Sequence, residues 1–168
     1  MKRSLFMPVS LIGFMCSGKT GRGQKTAEKY FLQFFDLDEI IEKYYGKKIS
    51  EIFAESGESY FRNIESIELI KHFSEVQDRN YILATGGGTI ESPENIKLLQ
   101  ENSYIVFLDP PFEILLERIK KNSVGRPMAK SRSDKELFDL WQKRREIYLN
   151  SCDCIITDHT SANAIEIF

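Results

Sequence analysis

The sequence predicts a three-layer α/β/α fold around a central parallel sheet, because short strand-like apolar runs alternate with segments carrying apolar residues at helical spacing. The first apolar run passes through a glycine-rich turn straight into a helix-compatible stretch, and the next ends in two carboxylates. Parallel sheets bind ligands at the carboxyl ends of their strands, so these two junctions mark the expected crevice.

Ser4 to Gly13 contains Val9, Leu11 and Ile12 and is expected to be a strand, followed by a loop across Gly13 to Gly21. From about Gly18 to Phe31 the residues suit a helix, and Leu32 to Phe35 form a second strand that ends in Asp36, Leu37 and Asp38. Asp38 to Tyr45, Ile49 to Ser56 and Ser59 to Phe73 read as a helical insertion punctuated by Gly46 and Gly57. Tyr81 to Thr85 is a buried-type strand running into Gly86, Gly87 and Gly88. A helix over Glu94 to Gln100, a strand over Ser103 to Leu108 closed by Pro110 and Pro111, and a helix over Phe112 to Lys121 follow. The polar stretch Asn122 to Asp134 is the candidate lid, and a helix from Lys135 to about Asn150 with a strand at Cys154 to Thr157 completes the pattern.

A chain of 168 residues has room for one domain, and no second is expected. With 42% hydrophobic and 29% charged residues, and 23 basic against 25 acidic side chains, the composition is that of a soluble globular protein. A net charge of −2 carries no electrostatic footprint for nucleic acid or an anionic membrane. The apolar run near the start leads into the glycine loop and not into a small-residue cleavage site, so no secretory leader is expected, and no apolar stretch reaches bilayer-spanning length. Cys16, Cys152 and Cys154 are too few and too unevenly placed for a disulfide framework, which fits a reducing cytoplasm. His72 and His159 lack partners at zinc-binding spacing, and the lone Trp141 is expected to pack in the core.

Gly13-Phe14-Met15-Cys16-Ser17-Gly18-Lys19-Thr20 matches the P-loop pattern between a strand and a helix. Its backbone N–H groups and the following helix N-terminus would surround phosphate oxygens, with Lys19 on the terminal phosphates and Thr20 on Mg²⁺. Asp36 and Asp38 flank Leu37, and strand alternation would place both on one face, where they could orient Mg²⁺ through water and accept a hydrogen bond or proton from a hydroxyl. The alternative for Asp38 is a helix N-cap. Arg62 and Glu65 stand three residues apart on an expected helix, so an ion pair could hold the guanidinium, or simply decorate the surface. Gly86 to Gly88 would let backbone come close to a ligand, or form a plain turn. Arg126 lies in the candidate lid beside Pro127, and Arg144 sits four residues before Tyr148; taken singly, each could be a solvated charge.

Taken in order, the P-loop, Asp36-x-Asp38, the segment Gly57 to Glu65, the glycine triplet, Arg126-Pro127, and Arg144 with Tyr148 resemble the shikimate kinase family over nearly the whole chain. The resemblance implies a nucleoside monophosphate kinase-like fold with a substrate-binding region from about residue 38 to 73 and a lid over about 122 to 134. It implies ATP and Mg²⁺ as cofactors and shikimate as acceptor, phosphorylated at its 3-hydroxyl on the way to aromatic amino acids. Asp38, Arg62, Gly86, Gly87, Gly88 and Arg144 would hold shikimate, with both arginines on its carboxylate and Phe53 and Phe61 walling the ring. Gly13, Cys16, Ser17, Gly18, Lys19 and Thr20 would hold the nucleotide, Arg118 would lie near adenine, Asp36 would help place Mg²⁺, and Arg126 would stabilise the transferring phosphoryl group. Lys19, Asp38 and Arg126 are thus the expected catalytic set, in an enzyme expected to be a cytoplasmic monomer.

The chain departs from the family pattern at Cys16, where glycine is usual, and at Arg22 and Thr26, where the first helix tends to be apolar; altered packing with retained activity is expected. A thiol beside Lys19 and a helix N-terminus is also a candidate for oxidation or alkylation. One extra residue between Arg118 and Arg126 makes the adenine role of Arg118 the least anchored. The rival readings are a related P-loop kinase acting on gluconate or a nucleotide, and a nucleotide-binding regulatory module without catalysis. Lys19, Asp38, Arg62 and Arg144, all present, argue against the latter.

Overall fold

A computed structural model describes residues 7–76, 80–121, 132–158 and 163–166. Its elements run β1 (Val9–Ile12), α1 (Lys19–Tyr30), β2 (Gln33–Asp36), α2 (Leu37–Tyr45), α3 (Ile49–Glu75), β3 (Tyr81–Ala84), a 3-10 turn (Thr89–Glu91), α4 (Pro93–Asn102), β4 (Tyr104–Leu108), α5 (Phe112–Lys121), α6 (Asp134–Ser151) and β5 (Cys154–Ile156). The expected strands and helices are present with ends shifted by a few residues. Most of the candidate lid, with Arg126 and Pro127, lies outside the described residues, as does His159.

The five described strands pair in the order β2-β3-β1-β4-β5, every pair parallel. Strand alternation sends neighbouring side chains to opposite faces. Val9, Leu11, Ile82, Val106 and Leu108 pack on one face with Ala27 of α1 and Ile165. Ile12, Leu83, Ile105 and Phe107 pack on the other, under Leu37 and Ile41 of α2, Phe61, Ile64 and Leu69 of α3, Leu99, Leu115 and Tyr148. Because both faces are covered, β3 and β4 are apolar along their whole length and β1 is so but for the buried Ser10, which is why they read as runs and not as alternating patterns.

Local chemistry explains the boundaries. Ser92 caps α4 by accepting from the Asn95 N–H at 3.2 Å, with Pro93 in the first helical position. Ser133 and Glu136 form a reciprocal capping box at the start of α6. Gly57, at φ 80° and ψ 174°, interrupts the helical path inside α3, so the two expected helices follow one another without an intervening loop. Buried His72 packs among Phe35, Phe73 and Tyr81, and burial pushes its pKa down to about 4, which leaves it a neutral core residue. Trp141 packs against Phe112 and Phe138. Among the described residues no helix is long and apolar enough to cross a membrane.

The polar residues of α1 have a specific use. Arg22 donates through Nη1 to the Asp158 carbonyl at 2.7 Å and through Nε to that of Asn163 at 3.3 Å. The buried Thr26 hydroxyl accepts from the Ile165 N–H at 2.7 Å and donates to the Arg22 carbonyl at 2.6 Å. Glu166 adds contacts to Lys29 at 2.5 Å and Tyr30 at 2.8 Å. Asp158 and residues 163–166 are thereby strapped across the helix that follows the P-loop. Thr26→Val, nearly isosteric, strands the Ile165 N–H and is expected to cost about 1–3 kcal/mol of stability in chemical denaturation.

Candidate active site

The P-loop bends because three of its residues adopt positive φ: Gly13 at 148°, Cys16 at 62° and Gly18 at 97°. Gly18 is the N-cap of α1, so the helix starts with its free N–H groups turned into the loop. Cys16 occupies a left-handed conformation that suits glycine and costs a side-chain-bearing residue about 1–2 kcal/mol. That is the physical meaning of the cysteine at this position: the turn is kept, with strain. Lys19 is buried and lies along the loop, its Nζ donating to the carbonyls of Gly13 at 2.7 Å and Phe14 at 3.0 Å. Arg118, from α5, reaches the Cys16 carbonyl through Nη1 at 3.2 Å, so this helix is also fastened to the loop.

Thr20 donates its hydroxyl hydrogen to Asp36 Oδ2 at 2.6 Å. The sequence expectation that Asp36 and Asp38 share a face by strand alternation is corrected here. The strand ends at Asp36, which caps α2 by accepting from the Asp38 N–H at 3.0 Å, and Asp38 stands in the first helical turn. The cap is thus Asp36, and Asp38 is released from that duty. Capping overrides the strand period because the free N–H groups of α2 need an acceptor.

Three glycines measure how tightly the crevice beside Asp38 and Arg62 is built. A Cβ on Gly86 would lie 2.5 Å from Glu65 Oε1 and 3.2 Å from Asp38 Oδ1; one on Gly88 would lie 2.3 Å from Arg62 Nη2. Gly87 leans on the P-loop, where a Cβ would be 3.2 Å from the Met15 nitrogen. The triplet therefore joins the P-loop to the side chains of Asp38, Arg62 and Glu65. Tyr148, fully buried and stacked on Phe107, donates its hydroxyl hydrogen to the Gly87 carbonyl at 2.5 Å.

Around this loop the expected charges converge. Arg62 Nη1 donates to Glu65 Oε2 at 2.7 Å, and the other oxygen of Glu65, which has no exposed surface, accepts from the Thr89 hydroxyl at 2.6 Å. The Arg62–Glu65 pair is therefore a buried brace and not surface decoration. Burial acts to lower the Arg62 pKa, but Glu65, then Glu91 and Glu58, outweigh it and raise the value. Arg144 is 2% exposed and donates through Nη2 to Glu91 Oε2 at 2.6 Å. Phe53 and Phe61 lie with ring centroids 4.7 Å apart, and the Arg62 guanidinium sits 5.2 Å from the Phe61 ring centre.

Asp38 is the electrostatic centre. Burial first, then Asp36 and Glu65, raises its pKa to about 7, while Lys19 and Arg62 pull in the opposite direction. A carboxylate near neutrality between a lysine and an arginine can orient a hydroxyl and take its proton. Thr20 and Asp36 together offer hard oxygen donors that fit Mg²⁺, an ion that takes few protein ligands and keeps its waters and phosphates.

Of the expected site residues, the structure brings Lys19, Thr20, Asp36, Asp38, Arg62, the glycine triplet and Arg144 to the carboxyl ends of β1, β2 and β3; Arg126 lies outside the described residues. Sequence reasoning left out Thr89 and Glu91. Both sit on the 3-10 turn after the triplet, and nothing in the pattern of residues distinguishes that turn from a loop.

The family profile described as shikimate kinase matches residues 15–167. The chain is 40% identical to the shikimate kinase of Persephonella marina over 153 residues, covering 91% of this chain and 90% of that relative. It is 41% identical to that of Dictyoglomus turgidum over 150 residues, covering 88% and 86%. Among solved structures it resembles shikimate kinase from Acinetobacter baumannii in complex with shikimate, with a TM-score of 0.87, 31% identity, and coverage of 94% of this chain and 87% of that one. Shikimate kinase from Aquifex aeolicus gives a TM-score of 0.79 at 35% identity, covering 93% and 89%.

The raised Asp38 pKa has a consequence for stability. An unfolded aspartate titrates near 3.8 and the folded one near 7, so the folded state holds the extra proton between these values. Stability from this group is complete below about pH 4 and is lost as pH rises through 7. Asp38→Asn removes that loss. The variant is expected to exceed the parent in stability at pH 8 by up to about 4 kcal/mol, and to gain little at pH 4, as measured by denaturant melts at the two values.

Proposed function

The chain belongs to the shikimate kinase family, and from that premise we propose how its residues divide the work of phosphorylating shikimate with ATP. The observation that supports the proposal is the gathering of Asp38, Glu65 and Arg62 against Gly86 and Gly88 at the end of β3, with burial the first cause that raises the Asp38 pKa to about 7. Gly13, Cys16, Ser17 and Gly18 enclose the phosphates with backbone N–H groups, and Lys19 moves from the loop carbonyls to the terminal phosphates. Thr20 and Asp36 hold Mg²⁺, which when bound neutralises phosphate charge. Arg118 borders the adenine.

On the acceptor side, Arg62 and Arg144 hold the carboxylate of shikimate, the backbone of Gly86 to Gly88 approaches the ring, and Phe53 and Phe61 wall it. Asp38 accepts a hydrogen bond from the 3-hydroxyl and aligns it with the γ-phosphorus. The hydroxyl oxygen forms its bond to phosphorus as the bond to the ADP oxygen breaks, and the hydroxyl proton passes late to Asp38. A loose transfer of this kind asks mainly for alignment and charge neutralisation, so Asp38 need not be a strong base. Arg126 supplies charge to the transferring group. The chain works as one catalytic domain, a monomer in the cytoplasm, on the route to aromatic amino acids.

A coupled ADP-release assay with Mg²⁺-ATP tests this against gluconate, AMP and no acceptor. Release that depends on shikimate is the expected result; release with another acceptor would move the substrate, and ATP binding with silence throughout would favour a regulatory module. Lys19→Ala is expected to lower kcat by about 10²- to 10³-fold, the scale on which lost transition-state charge stabilisation is felt. Arg62→Ala is expected to raise KM for shikimate by about 10- to 100-fold with KM for ATP nearly unchanged. Unchanged acceptor affinity in Arg62→Ala breaks the assignment.

A further inference from the structure

Glu91 stands where the two acceptor-side arginines meet. Its Oε2 accepts from Arg144 Nη2 at 2.6 Å and lies 3.9 Å from Arg62 Nη2. The backbone holds this residue in place, since the 3-10 turn grows directly from the glycine loop and the Glu91 N–H donates to the Gly88 carbonyl at 3.0 Å. The side chains differ in their freedom: the Arg144 side chain is 3% exposed and the Glu91 side chain 28%. Arg144 is fixed from below, while Glu91 can rotate towards solvent.

Two features show that the contact is not the best partner for these guanidiniums. The Nε atoms of Arg62 and Arg144 are both buried and, among the described residues, have no hydrogen-bond partner. Glu91 takes one N–H of Arg144 and leaves the neighbouring one unused, whereas a carboxylate approaching the fork can take two. The local charge also matters. Arg62 and Arg144 face Glu58, Glu65 and Glu91, so two cations already meet three anions, and a further carboxylate would make four. Rotation of Glu91 out of the cluster restores three.

We propose that Glu91 is a specificity-determining residue: a carboxylate of the protein itself that holds Arg144 before the acceptor arrives and is exchanged for the acceptor's carboxylate. The inference rests on the reading of Arg62 and Arg144 as the carboxylate grip. Exchange of one anion for another keeps the guanidiniums paired throughout, so that neither is left as an isolated buried charge. It also makes the acceptor's carboxylate the entry requirement, because a neutral ring cannot take the place of Glu91. The cost of displacing Glu91 is subtracted from acceptor binding alone.

Glu91→Gln keeps the shape and removes the charge. Titration calorimetry with shikimate, without nucleotide, is expected to show affinity about two- to fivefold tighter than the parent, the size of a partly exposed ion pair. KM for shikimate should fall in step, with kcat and KM for ATP within about twofold. Glu91→Ala, which also removes the hydrogen bond, should shift affinity in the same direction, and a thermal melt of each variant verifies folding. Unchanged or weaker shikimate binding in folded Glu91→Gln and Glu91→Ala overturns the exchange while leaving the acceptor reading intact, because it would make Glu91 a support for Arg144. A parent protein that neither binds nor phosphorylates shikimate overturns the acceptor reading, and the exchange with it.

Discussion

The half of the candidate site around Arg62 and Asp38 depends on one buried carboxylate. Glu65 has no exposed surface, and each of its oxygens is taken, one by Arg62 and one by Thr89. A carboxylate in the interior must be satisfied by donors brought to it. Those donors come from α3 itself and from the 3-10 turn, so satisfying Glu65 fixes the angle between the two. Gly86 has no Cβ because Glu65 Oε1 would lie 2.5 Å from it. The brace therefore sets where the glycine loop runs, how far Arg62 extends and how close Asp38 stands to both. Burial first, then Asp36 and Glu65, brings the Asp38 pKa to about 7.

The P-loop half is organised by backbone shape, with charge added afterwards. Gly13 and Gly18 supply conformations that L-residues with side chains rarely adopt, and Cys16 accepts a third at some strain. Lys19 and Arg118 then bind loop carbonyls, which keeps the loop folded upon itself. Gly87 against Met15, with Tyr148 beneath the same glycine, joins this half to the other. The helix that carries Arg144 is thereby tied to the floor of the crevice. Arg145 ties it again through a bidentate pair with Asp109 at the end of β4, with contacts of 3.0 and 2.7 Å.

The strands, the helices and most of the site were legible in the sequence because each rests on a local rule. Apolar runs such as Tyr81 to Ala84 mark strands covered on both faces, and the P-loop spacing marks a strand-to-helix turn. Arg62 and Glu65 could be paired on helical spacing alone, but their burial could not be foreseen, since it follows from how α3 meets the glycine loop. Strand alternation does not account for the position of Asp38: the strand ends at Asp36, which caps α2 and leaves Asp38 in its first turn. Glu91 was invisible. Its partner Arg144 is 53 residues away, and only the docking of α6 against the 3-10 turn brings the two together.

The strap across α1 bears on the order in which the chain can be built. β1 and the P-loop precede their partners in synthesis: β1 lies between β3 and β4, and α1 is locked by Asp158, Asn163 and Ile165. A ribosome delivers those three residues after all five described strands. The helix that follows the P-loop must wait for them with its polar face unfilled, because these contacts span 136 to 141 residues of sequence. Thr26 and Arg22, soluble while they wait and specific once met, are better suited to that delay than apolar side chains would be.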